Sequence, residues 1–109
     1  MRILIRSTRL TLHAEDVDYI TKRLWFALGR FADRVRTARV TLSDINSNKG
    51  GIDKRCIVEV DVDGRGKIVA GDVDTTIRST ADVTIARVSR AVARSVRRTL
   101  DRRHIEYAG

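Results

Sequence analysis

Arg87, Arg90, Arg94, Arg97 and Arg98 recur at steps of three and four near the end of the chain, and Ile77, Ala81, Ile85, Val88, Val92 and Val96 keep the same beat. At about 100° per residue the two sets take nearly opposite faces of one long helix. Such a helix is held down by its aliphatic side and offers guanidinium groups on the other. The planar fork of arginine matches phosphate oxygens, so the chemistry on offer is recognition of a polyanion, first of all a nucleic-acid backbone.

The overall balance agrees. Among 109 residues, 22 Lys+Arg face 14 Asp+Glu, a net charge of +8. By segment the charge is +5 for residues 1–49, −2 for 50–75 and +5 for 76–109. A basic side therefore comes from the first half and the last helix, beside a less basic hairpin. Charge alone does not choose among RNA, DNA, anionic lipid and an acidic protein. The length suits one domain with one modest core, without repeats or a Pro/Ser-rich linker. No signal-peptide core and no run of 18 apolar residues is seen, so the expectation is a cytoplasmic protein with no membrane partner.

The elements that must position the arginines follow from periodicity. Ile3 and Ile5 alternate with Arg2 and Arg6 as a first strand. A first helix begins at His13 or Ala14, with Glu15, Asp16 and Asp18 at its positive end. Val17, Ile20, Leu24, Leu28, Phe31 and Val35 form its buried stripe, and Lys22, Arg23, Phe26 and Arg30 lie opposite. Ala38, Val40 and Leu42 mark a second strand, Asn46 to Gly51 a reversal, and Cys56, Val58, Val60 and Val62 a third strand. After the Asp63-Gly64-Arg65-Gly66 turn a fourth strand runs from Lys67 to about Gly71. Asp74-Thr75-Thr76 and Ser79-Thr80 each offer an N-cap for the last helix, and Asp74 is the choice, since Ile77 and Ala81 already keep the stripe. The fold class is α+β, ordered β-α-β-β-β-α, with a four-stranded sheet, its first two strands parallel, and both helices on one face. Residues 1–103 form the domain and 104–109 a short tail.

Other reactive residue types carry little. Cys56 is a small buried hydrophobe on the inner face of its strand, and Trp25 sits at the edge of the buried stripe as a core residue. Glu59, Asp61 and Asp63 alternate along a solvated strand face and lack the spacing of a calcium loop. His13 belongs to the helix entry and His104 to the tail; neither has a partnered nucleophile or metal-ligand spacing, so no catalytic site, metal, cofactor or small-molecule substrate is expected. Gly64 and Gly66 serve a turn, since no Lys-Ser follows. Aromatics are too few to read bases on the sheet, so recognition is of shape and phosphate.

Four runs, RLWFALGRFADRV (23–35), VTLSDIN (40–46), GGIDKRC (50–56) and SRAVARSVRR (89–98), resemble in order and spacing the short ribosome hibernation promoting factor and ribosome-associated inhibitor family, also called the sigma-54 modulation protein family. The likeness spans roughly residues 1–103. It implies the β-α-β-β-β-α order, a shape related to double-stranded RNA-binding domains, and docking in the messenger and transfer RNA channel of the small ribosomal subunit, which keeps resting ribosomes inactive under stress. It also implies ribosomal-RNA contacts from Arg23, Arg87, Arg90, Arg94 and Arg98. Lys22, Arg30 and Arg97 join them from helical geometry. Two departures stand out: Phe26 takes a place where some members are basic, and Arg78 replaces an aromatic. The second either adds a phosphate contact or loosens packing. Longer members carry a second, dimerising domain that this chain lacks, so no direct self-dimerisation of that kind is expected.

The leading expectation is thus a non-enzymatic translation regulator that occupies the decoding channel. The alternatives are a module that binds an acidic regulatory protein, or an RNA-binding adaptor unrelated to the ribosome.

Overall fold

A computed structural model describes residues 1–45 and 52–108, with side chains as far as Arg98. Its elements are β1 (Arg2–Thr8), α1 (Ala14–Leu28), a 3-10 turn (Gly29–Phe31), β2 (Val35–Asp44), β3 (Lys54–Val62), β4 (Gly66–Asp74) and α2 (Ile77–Ala108). The four strands form one sheet in sequence order. β1 and β2 are parallel, with Arg2 opposite Thr37 and Thr8 opposite Ser43, and the two remaining pairs are antiparallel. This is the α+β class and the element order expected from the periodicities. The reversal expected at Asn46 to Gly51 lies outside the described residues.

Period-two alternation assigns the two faces of the sheet. Ala38, Val40 and Leu42 of β2 and Cys56, Val58, Val60 and Val62 of β3 are buried, together with Ile20, Leu24 and Leu28 of α1 and Ala81, Ile85, Val88, Val92 and Val96 of α2. All belong to one core, so both helices cover the same face. The other face is open: Ile57, Val69 and Val73 are exposed there, and Arg39 pairs with Glu59 at 3.4 Å. Lys67 lies 3.7 Å from the same carboxylate, and Arg36 reaches Asp63 at 2.6 Å. Glu59 and Asp63 are thus spent on neighbouring cations.

Four boundaries differ from the sequence reading. Val35 does not extend the first helix; α1 stops at Leu28, and Val35 opens β2, where it remains buried. β4 continues beyond Gly71 to Asp74, because β3 offers partners as far as Lys54. Asp74 is therefore a strand residue and not the cap of α2. Thr76 caps instead, its Oγ1 accepting the Ser79 amide at 3.1 Å. Finally, the α2 backbone stays helical to Ala108, through most of the segment set apart as a tail. At the hairpin the expected turn is present, Gly64 and Gly66 having φ of 74° and 77°, a left-handed conformation that glycine adopts without strain.

Candidate nucleic-acid interface

Side by side on the sheet, α1 and α2 leave a groove on their outer surface. At one end Tyr19, Lys22, Arg23 and Phe26 line a recess of about 370 Å³. The next, of about 390 Å³, is bounded by Arg23, Phe26 and Arg30 on one side and by Ile85, Ala86 and Ser89 of α2 on the other. A third, of about 410 Å³, is walled by Arg30, Arg90, Arg94 and Arg97. Shared walls make these one channel. The small residues Ala86, Ser89 and Ala93 form its floor on the α2 side, which lets the flanking cations face one another.

The expected basic residues are not equivalent within it. Arg23 is tied to α2: its buried Nε lies 3.2 Å from Asp82 Oδ1, off the direction of a hydrogen bond. Asp82 in turn receives the Tyr19 hydroxyl, 2.9 Å from each carboxylate oxygen. That hydrogen bond, more than burial, raises the Tyr19 pKa above 10.0. Arg78 completes the cluster, with Nε 3.5 Å from Asp16 and its guanidinium carbon 4.7 Å from the centre of the Tyr19 ring. Arg78 thus packs across the helix pair. Asp16 meanwhile accepts the His13 amide at 3.3 Å, closing the start of α1.

Lys22 pairs with Asp18 one turn away, both well exposed. Arg87 leans to the other flank of α2, donating to the Gly71 carbonyl at 2.9 Å and lying 3.4 Å from Asp72. It thereby blunts the free edge of β4. Arg90, Arg94, Arg97 and Arg98 are exposed and have no acidic partner among the described residues. Arg30 is set beside them by the 3-10 turn, its guanidinium 4.6 Å from the centre of the Phe31 ring. Among the described residues, the guanidinium groups without an acidic partner are therefore concentrated at the Arg30 end, and the Arg23 end is partly neutralised from within. Helical spacing shows that arginines share a face, but the acids that meet them come from other elements.

The remaining candidates behave as packing groups, with one correction. Cys56 is fully buried, its thiol pushed up to about 11 by that burial. Trp25 is not a core residue: it is 46% exposed, since one step past buried Leu24 turns it about 100° from the stripe, and it rests against Gly29. Sequence reasoning missed Asp82 and Tyr19, whose meeting depends on how the helices pair. Among the described residues no group of acids, histidines or cysteines is placed to hold a metal ion, and no helix is long and apolar enough to cross a membrane.

No family model and no curated protein matches the chain by sequence. Solved structures do match it. The crystal structure of the Thermus thermophilus Protein Y N-terminal domain aligns with a TM-score of 0.70 at 25% identity, over 86% of this chain and 98% of that one. A ribosomal subunit interface protein from Coxiella burnetii aligns with a TM-score of 0.72 at 14% identity, over 87% and 97%. The first relates this chain to Protein Y, and the second shares its fold.

Proposed function

We propose, from structural neighbours that match the hibernation promoting factor family, that this protein binds the small ribosomal subunit and occupies the channel of messenger and transfer RNA. One observation supports the reading beyond the fold. Arg30, Arg90, Arg94 and Arg97, from two elements far apart in sequence, line one groove without an acidic partner among the described residues. A rigid domain seated there excludes messenger and transfer RNA by volume, with no chemical step. Its affinity derives largely from counterions released as arginines neutralise ribosomal-RNA phosphates.

Cosedimentation with vacant small subunits tests the reading. The folded protein is expected to pellet at low salt and to be displaced as salt rises. If about five phosphates are neutralised, affinity falls about three to four powers of ten per tenfold increase in salt. Failure to pellet at low salt refutes the proposal. Comparable affinity for any long RNA duplex favours the non-ribosomal adaptor, and partners that survive nuclease treatment favour the acidic-protein module.

A further inference from the structure

Phe26 is 86% exposed, the most exposed of the large hydrophobic side chains described. A single surface hydrophobe ordinarily needs no explanation. What distinguishes this one is its setting. The ring forms the wall between two adjoining recesses of about 370 and 390 Å³, and the side chains sharing those recesses with it include Lys22, Arg23 and Arg30. The Arg23 guanidinium carbon lies 6.0 Å from the ring centre. An apolar plane ringed by cations fits a flat aromatic ligand attached to a negatively charged backbone. It fits a lipid tail or an aliphatic peptide poorly, because neither supplies a planar partner and anions on both sides.

We propose that Phe26 stacks an unpaired nucleobase of the bound RNA, while Lys22 and Arg30 hold the phosphates on either side. This rests on the RNA-binding reading above and adds to it a contact that phosphate recognition alone does not contain. Every base has a π face, so the contact tolerates sequence and favours an unpaired nucleotide over a continuous duplex. Arg23, held by Asp82, lies over one face of the ring, which leaves the other face for the base.

The test uses the whole protein, a seven-nucleotide single-stranded RNA with a central 2-aminopurine, and the same RNA with an abasic centre, alongside vacant small subunits. Wild type is expected to quench the 2-aminopurine and to prefer the intact RNA. Phe26→Leu, at an exposed position that preserves helix and charge, is expected to bind the intact RNA about ten- to a hundredfold more weakly. It should retain the salt slope and the affinity for abasic RNA, and Phe26→Trp should restore quenching. Equal binding by Phe26→Leu and wild type overturns the proposal; so does an equal loss on both RNAs, which would make the ring a support for its neighbours. A wild-type protein that binds the RNAs but not small subunits refutes the ribosomal reading alone, and one that binds none refutes both.

Discussion

The Tyr19 hydroxyl lies midway between the two carboxylate oxygens of Asp82, 2.9 Å from each, and so links the first helix to the second across 63 residues of sequence. The same carboxylate restrains Arg23. One acid thereby holds the helices together and draws positive charge away from one end of the groove, and these two roles separate under mutation.

Tyr19→Phe removes the hydroxyl and leaves the ring beneath Arg78. A hydrogen bond to a charged group that is only part-buried contributes about 1–2 kcal/mol, so the urea midpoint should fall accordingly at neutral pH.

Asp82→Asn should shift two properties in opposite directions. Stability falls with the loss of the charged acceptor, whereas RNA affinity at low salt rises about two- to fivefold as Arg23 is released and net charge increases. Measured together, a loss of both properties would show that Arg23 works only where Asp82 holds it.

The two ends of the groove should differ in salt dependence. Arg90→Gln with Arg97→Gln is expected to flatten the dependence of log affinity on log salt by about 1.4, or about 0.7 per phosphate contact. Arg78→Gln, already engaged by Asp16 and Tyr19, should leave the slope nearly unchanged and cost under about 1 kcal/mol of stability. Binding isotherms at several salt concentrations decide between them.

At the start of α2, Thr76→Ala should cost about 1 kcal/mol through the lost cap. Asp74→Ala should cost less, since among the described residues its carboxylate accepts only the neighbouring Thr75 amide and hydroxyl. Thermal melts of the pair distinguish cap from strand end.

Alkaline pH provides a further check. Tyr19 and Cys56 both hold their protons more tightly folded than unfolded, Tyr19 through Asp82 and Cys56 through burial, which takes its thiol from 9.0 to about 11. Their contribution is complete below the unfolded values and is lost as pH rises through the folded ones. Stability should therefore decline above about pH 9, less steeply in Tyr19→Phe. Cys56 should resist iodoacetamide at pH 8 until the chain unfolds.

Much of the fold was legible because periodicity is a local signal. The stripe from Ile77 to Val96 and the alternation of Cys56, Val58, Val60 and Val62 identify their elements without reference to anything else. Boundaries were less legible where two local patterns overlapped. Val35 continues a helical count and also begins a strand, and pairing with β3 settles the matter. Asp74 is a good cap by type, yet it is taken by the same hairpin. The arginines of α2 were found from spacing, but Arg87 could not be told from Arg90 until β4 presented Gly71 and Asp72 to it.

By itself, then, the sequence determined the element order, most of the buried faces and a strongly basic last helix, since these follow from side-chain type and the geometry of a single helix or strand. Only the tertiary structure decided which cations remain free. Whether a guanidinium meets phosphate or a carboxylate depends on distances of a few ångströms between elements distant in the chain. Asp82 against Arg23, and Arg30 beside Arg90 and Arg97, are set by how two helices pack on one sheet.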